Sequence, residues 1–307
     1  MWLVLLGVAL AEVLALQVRI DRVPSVADFG AAARLVRQGL AEDDALAVAP
    51  AWADPLLRLS LGDRIPSKMA GRADLAGYRR LWVLSIWGDR FPQAPNRPAD
   101  YHATVGRITV DRYDFAPSPV VYDFVDHIAS ARADLSVRGE KRPCTFSRGK
   151  ASSVRGGLGT GPAAPQDRFV CDGRRPWLWV GATVIEDLSL QPRRCIYQHP
   201  QGEEPVSLHF DEVPMGSRVV VYAGLDYHQE RDETGAPVML RIRAAGKEIG
   251  RVEHHDGDGM SRSELLLPPA LFGSRTTISF EVTAESPNRR AFCWSATIRD
   301  LTRREGS

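Results

Sequence analysis

The sequence predicts an α/β region over residues 21–137 followed by an all-β sandwich over residues 177–303. Three observations carry this. First, the apolar runs Ala45–Ala49 and Leu81–Ile86 are unbroken, and helical spacing precedes each. Continuous apolar strands between helices are what a sheet covered on both faces requires. Second, the chain alternates strictly further on. Val206, Leu208 and Phe210 point one way against Ser207, His209 and Asp211, and the pattern returns at Val238–Ile242 and Ile278–Val282. A period of two, broken by Gly, Pro and Asp, marks half-buried strands of a two-sheet sandwich. Third, Cys144, Cys171, Cys195 and Cys293 stand in separated pairs, with no Cys-x-x-Cys and no cysteine–histidine spacing of a zinc site. An even count of that kind suits disulfides in an oxidising compartment.

A length of 307 residues is compatible with two domains. The hydrophobic fraction of 44% and the charged fraction of 25% are those of a globular chain. With 39 basic and 38 acidic residues the net charge is +1. No basic excess exists for a general nucleic-acid binder, so that class is set aside.

Trp2 to Val18 is apolar apart from Glu12 and Gln17. The run approaches the roughly 20 residues of a bilayer span, so residues 1–20 are read as a signal-anchor or membrane helix, with a buried helix as the alternative. No basic residue precedes Arg19, which departs from a cleaved signal peptide. Arg19 and Arg22 would hold the following chain in the cytoplasm if the run were a lone span, whereas the cysteines point outward. Both signals are met if the run is the last helix of a longer membrane protein. The expectation is an extracytoplasmic protein, periplasmic or at the cell surface, membrane-anchored or secreted.

The first region reads in order. Ser25 or Asp28 caps a helix over Val26–Leu40 whose apolar stripe is Phe29, Ala33, Leu35 and Val36. Asp43-Asp44 turns into the strand Ala45–Ala49, ended by Pro50. Asp54-Pro55 opens a second helix through Leu61, and Tyr78-Arg79-Arg80 leads into the strand Leu81–Ile86. Val105–Val110 is expected as a third strand. Tyr122–Leu135 is expected as a last helix, from the spacing of Val121, Phe124, Val125 and Ile128. The sheet is expected to be parallel.

Asp28-Phe29 with Ala31-Ala32-Ala33, and then Asp43-Asp44-Ala45-Leu46-Ala47-Val48-Ala49-Pro50-Ala51-Trp52, resembles the segment after the last membrane helix of bacterial GT-C glycosyltransferases. The resemblance implies a small extracytoplasmic Rossmann-like domain and a membrane glycosyltransferase as context or partner. That family's catalytic acidic residue lies between early membrane helices with no counterpart here, so no catalytic residue is carried over.

Residues 138–176 are expected to be a linker or long loop. Arg138, Lys141, Arg142, Arg148, Lys150 and Arg155 precede the run Gly156-Gly157-Leu158-Gly159-Thr160-Gly161. That run follows no strand and lacks the Lys-Ser/Thr ending of a phosphate cradle. Trp177-Leu178-Trp179-Val180-Gly181 then reads as a strand. Its indoles are read as core packing, with a sugar platform as the second reading, because apolar rings stack on pyranose faces.

Phe210-Asp211-Glu212-Val213-Pro214-Met215-Gly216, Tyr222-Ala223-Gly224-Leu225, Pro237-Val238 and Phe292-Cys293-Trp294 resemble the galactose-binding-like jelly rolls appended to carbohydrate-active proteins. The resemblance implies ligand binding, where it occurs, through loops at one end. Those loops are Asp226–Arg231 and His254–Gly259. Tyr227, His228 and Arg231 supply an aromatic face, a hydrogen-bonding ring and a fork of donors, and with Trp177 and Trp179 they are the candidate ligand-binding residues. The competing reading of the first loop is a solvated turn with Arg231 paired to Asp232 or Glu233. His254 and His255 are neighbours that a strand points to opposite faces, and Asp256-Gly257-Asp258-Gly259 is what a turn needs. No metal site is therefore expected, with Asp256 and Asp258 kept as the residues to check. An EF-hand fails at Met260.

Cys195 and Cys293, at the two ends of the sandwich, are expected to pair, as are Cys144 and Cys171. Phe292, Trp294, Ala296 and Ile298 facing inward would put Cys293 on the outer face. No G-x-S-x-G, H-E-x-x-H or P-loop occurs, so no catalytic residue and no cofactor is assigned. The expectation is a non-catalytic protein that binds glycan or another cell-envelope component, beside a membrane glycosyltransferase. A glycan-transferring or glycan-hydrolysing enzyme and a structural module docking a membrane partner stay open.

Overall fold

The computed structural model describes residues 12, 23–61, 74–148, 165, 167–189, 192–232 and 234–300. The N-terminal apolar run, Glu12 excepted, and the glycine run at 156–161 lie outside the described residues. Among the described residues no helix is long and apolar enough to cross a membrane. The chain forms two compact units, one of residues 1–69 and 78–116, the other of residues 70–77 and 117–307.

The first unit runs α1 (Val26–Gly39), β1 (Asp44–Ala49), a 3-10 turn (Ala51–Ala53), α2 (Asp54–Leu61), β2 (Arg80–Ile86), β3 (Tyr101–Val105) and β4 (Ile108–Asp114). Helix α1 starts at Ser25 because both halves of a capping box are present. The Ser25 hydroxyl accepts from the Asp28 N–H, and the Asp28 carboxylate accepts from the Ser25 N–H. Phe29, Ala32, Ala33 and Val36 then pack on Leu46, Val48, Leu57 and Leu84. Strands β1 and β2 pair in parallel and are buried almost throughout, as their unbroken apolar runs require. Asp44 is fully buried yet compensated. It accepts from Arg80 Nε and Nη2 at 2.8 Å each, from the Trp82 indole at 3.0 Å and from the Ala41 N–H at 2.9 Å.

The sheet order β1-β2-β4-β3 corrects the parallel, Rossmann-like expectation. Only β1 and β2 are parallel, and β4 runs antiparallel to both β2 and β3. The expected strand Val105–Val110 is in fact a hairpin turned at Gly106-Arg107, where Gly106 has φ +57°. A two-residue connection can join only antiparallel strands. The apolar residues on either side of the turn concealed it.

The second unit begins with β5 (Val120–Asp123), β6 (Arg132–Val137), β7 (Glu140–Pro143), β8 (Thr145–Ser147) and β9 (Arg168–Val170). It continues through β10 (Trp179–Glu186), β11 (Pro192–Gln198), β12 (Val206–Pro214), β13 (Arg218–Leu225) and the short helix α3 (Tyr227–Glu230). It closes with β14 (Val238–Ala244), β15 (Lys247–His254), β16 (Ser261–Leu266), β17 (Arg275–Ala284) and β18 (Phe292–Arg299). One sheet has the order β16-β13-β18-β11-β10-β9-β8, with β5 also on β18. The other has the order β15-β14-β17-β12-β6-β7. From β11 to β18 the chain passes repeatedly between the two sheets, as in jelly rolls.

The expected helix Tyr122–Leu135 is instead two strands around a turn. The Asp123 carboxylate accepts from the N–H groups of Val125 and Asp126, which breaks the helical path although the apolar spacing suits it. Residues 117–148 and 167–176, expected as the end of the α/β region and a linker, here supply strands of the sandwich.

The core is built by the alternation read above. Val206, Leu208, Phe210, Leu240, Ile242, Ile278, Phe280 and Val282 from one sheet meet Val219, Val221, Trp294, Ala296 and Ile298 from the other. Burial contributes about 1.5–3 kcal/mol for each large side chain. Gln198 ties the sheets together. It donates to the carbonyls of Val206 (2.7 Å) and Phe280 (3.2 Å), and it accepts from the Trp294 indole (2.9 Å). Both disulfides form, Cys144–Cys171 and Cys195–Cys293. With Trp294 inward, Cys293 lies on the outer face, where the bridge packs with Trp179, Ile185, Tyr197 and Ala291. Two formed bridges match an oxidising, extracytoplasmic compartment.

Candidate ligand cleft

Strands β11 and β13 run antiparallel to β18, and β10 antiparallel to β11. The loops at 171–178, 199–205, 226–237, 255–260 and 285–291 therefore gather at one end of the sandwich. Between three of them lies a cleft of about 380 Å³, lined by Arg175, Trp177, Leu178, His199, Pro200, Gln201, Pro287, Asn288 and Arg289. That volume is in the range of small-ligand sites.

Local hydrogen bonds set each wall. In the β9–β10 loop the Asp172 carboxylate accepts from the Arg174 N–H (2.9 Å) and from Arg175 Nε (2.8 Å), which closes a tight turn. The Trp177 carbonyl accepts from the Tyr197 hydroxyl at 3.2 Å, and the residue stays 51% exposed. The sequence treats Trp177 and Trp179 as a possible pair, and the structure separates them. The Trp179 N–H donates to the Trp177 carbonyl (3.1 Å), which bends the chain between them. Trp179 is 3% exposed and packs against the tilted Tyr197 ring at 4.1 Å beside the Cys195–Cys293 bridge, so it cannot serve as a platform.

His199 faces the cleft with a defined tautomer. Its Nδ1 lies 2.6 Å from the Pro200 carbonyl, which can only accept, so Nδ1 carries the hydrogen and Nε2 is an acceptor. Burial holds its pKa below the ordinary imidazole value, against the opposing Pro200 bond, and the Arg175 charge lowers it further. The ring is neutral at pH 7. On the opposite wall Arg289 has φ +56°. It points outward to Asp232 (2.9 Å), while Arg290 turns inward to Asp256 (2.7 Å).

Tyr227, His228 and Arg231 sit together on and just after α3. Asp226 caps this helix, its carboxylate accepting from the His228 N–H. Arg231 donates to the Tyr227 hydroxyl (2.9 Å), and its guanidinium lies over the Tyr227 ring at 5.5 Å. The pairing of Arg231 with Asp232 does not form, and Glu233, the other expected partner, lies outside the described residues. Asp232 reaches Arg289 instead, linking this turn to the cleft rim. His228 is exposed, edge-on to Tyr227.

Asp256 and Asp258 are engaged structurally. Asp256 accepts from Arg290 and from the Gly235 N–H, and Asp258 accepts from the His255 N–H. His254 is buried and His255 exposed. Among the described residues no group of three His, Cys, Asp or Glu is placed to hold a metal ion.

Sequence reading overlooked Glu230. It is buried on α3, and its carboxylate accepts from the Leu225, Gly257 and Gly259 N–H groups and from His254 Nε2. It latches the loops on its side of the sandwich end. Arg175, His199, Asn288 and Arg289 were also missed. They come from three separated loops, and no spacing in the chain announces their meeting.

No family model matches this chain, and neither does any curated protein. The resemblance to GT-C glycosyltransferases gains no support from either comparison. Solved structures similar to it include the CBM51-2 and INT domains of Clostridium perfringens ZmpB in complex with GlcNAc. There the identity is 11% over 39% of this chain and 25% of that chain, with a TM-score of 0.30. The CBM51 of Clostridium perfringens GH95 in complex with methyl-galactose matches at 9% identity over 38% of this chain and 80% of that one, TM-score 0.28. The tandem CBM51 modules of Sp3GH98, a family 98 glycoside hydrolase from Streptococcus pneumoniae, match at 10% identity over 66% and 57%, TM-score 0.32. This chain thus spans a quarter of the first of these proteins. Likeness of this degree identifies no ligand.

Proposed function

We propose that this chain is a non-catalytic, extracytoplasmic glycan-binding protein whose ligand enters the cleft beside Trp177. The observation that supports this is an indole half open to solvent in a concave site walled by Arg175, His199, Gln201, Asn288 and Arg289. A flat apolar ring suits the CH face of a pyranose, and the polar walls suit its hydroxyl edge. The turn of Tyr227, His228 and Arg231 is joined to the rim through Asp232 and Arg289, which supports a role for it with a longer oligosaccharide. Binding at such a site is weak, with Kd of about 10 μM to 1 mM. Tethering by the apolar N-terminal run, and a place beside a membrane glycosyltransferase, would raise the effective concentration at the envelope. The test is titration of the chain with envelope oligosaccharides, followed by tryptophan fluorescence and calorimetry. Saturable binding that Trp177→Ala weakens by about tenfold supports the reading. Binding that Trp177→Ala leaves unchanged moves the site to Tyr227, and capture of a membrane protein with no glycan bound replaces the reading with docking.

A further inference from the structure

Resting on the glycan reading above, we infer that the cleft selects a sugar bearing an anionic group, a carboxylate or a phosphate, over a neutral one. Arg175 and Arg289 line it from different loops. Each is held at one nitrogen by a carboxylate, Asp172 on Nε of Arg175 and Asp232 on Nη1 of Arg289. Neither carboxylate lines the cleft, and no acidic side chain is among the described residues that do. The two acids therefore hold the guanidinium groups from outside the residues that line the cleft. A guanidinium carries five N–H donors in a planar fork, so each arginine has donors beyond the one its acid engages. Charge-assisted hydrogen bonds to a carboxylate or phosphate are roughly twice as strong as neutral ones.

The other walls fit the same ligand. His199 offers Nε2 as an acceptor for a sugar hydroxyl, because its Nδ1 hydrogen is committed to the Pro200 carbonyl. The imidazole is neutral, so the cationic groups that line the cleft are the two arginines, each paired with a carboxylate outside the lining. Trp177 supplies the apolar face. The net charge of the chain is only +1, so no general basic excess draws anions to it.

The experiment titrates the full chain, at low and high salt, with a galacturonate trimer, with the same trimer after reduction of its carboxyl groups to alcohols, and with a sugar phosphate. The expected result is an advantage of about tenfold for the anionic ligands over the reduced trimer at low salt. That advantage shrinks as salt rises. The ratio of anionic to reduced-trimer affinity falls to about twofold or less in Arg175→Gln and Arg289→Gln, whatever each variant does to the reduced trimer itself. Comparing the native and reduced trimers on the unaltered chain needs no variant to fold. Equal affinity for the two trimers overturns the selection of an anion and leaves the glycan reading standing. An anionic advantage that persists in both arginine variants overturns the assignment to this cleft. Binding of none of the probes, with Trp177 in place, overturns the glycan reading as well.

Discussion

Two aromatic edges stand at the loop end of the sandwich, and their arginines do opposite things. At α3 the Arg231 guanidinium covers the Tyr227 ring and bonds its hydroxyl. At the cleft Arg175 and Arg289 are drawn to Asp172 and Asp232, and the indole of Trp177 keeps half of its surface exposed. A ligand approaching Tyr227 must first displace a cation–π contact of about 0.5–1 kcal/mol, whereas one approaching Trp177 meets an open face. The contrast between Trp177 and Trp179 makes the same point two residues apart. An aromatic becomes a platform when the packing around it leaves its face unclaimed, and nothing in the residue itself decides that.

The largest expected effect concerns what holds Trp179 inside. Replacing Cys195 and Cys293 together by Ser opens a bridge that closes 98 residues, and is expected to cost about 4–5 kcal/mol in denaturant titration. The emission of Trp179 should shift to the red as its outer-face cluster loosens. A loss no larger than that of Trp177→Ala would mean that the bridge does not support the cluster.

Next come the two indoles. Trp179→Ala is expected to destabilise the fold by about 3–5 kcal/mol, and Trp177→Ala by no more than about 0.5 kcal/mol. Equal costs in thermal unfolding would erase the distinction between a packed ring and an open one.

Glycan affinity should rank the two edges. Trp177→Ala is expected to weaken oligosaccharide binding by about tenfold, and Tyr227→Ala or Arg231→Ala by less than about twofold for a short ligand. The reverse order in calorimetry would place the main contact on α3.

The smallest effect is a pH dependence from His199. Its folded pKa is depressed by burial, so the unfolded chain takes up the proton first as pH falls. The stability that neutral His199 permits is present above the unfolded value of about 6.5 and declines as pH drops from there toward the folded pKa. His199→Gln should flatten that part of the stability profile. An unchanged slope would show that the imidazole titrates alike in both states.

Local chemistry made much of the fold readable before the structure. Ser25 or Asp28 announced the start of α1, and the structure chose Ser25, where the hydroxyl and the Asp28 carboxylate form a capping box. The unbroken runs at Ala45–Ala49 and Leu81–Ile86 became the buried parallel pair. The alternation at Val206–Phe210, Val238–Ile242 and Ile278–Val282 became the inner face of one sheet. The failures share one cause. Val105–Val110 and Tyr122–Leu135 have apolar spacing that fits more than one element, and a short local bond chose between them. At the first it was the turn at Gly106, and at the second the Asp123 carboxylate on the Val125 and Asp126 N–H groups.

By itself the sequence marked the apolar face of the alternating strands and the buried parallel pair, because these follow from hydrophobicity and chain period. Only the tertiary structure decided that Arg175, Trp177, His199 and Arg289 share one cleft and that Tyr227 lies under Arg231. The reason is that the cleft is assembled from loops brought together by the pairing of β10, β11 and β18. Sheet register acts across about a hundred residues of chain, and no local pattern encodes where its loops will meet.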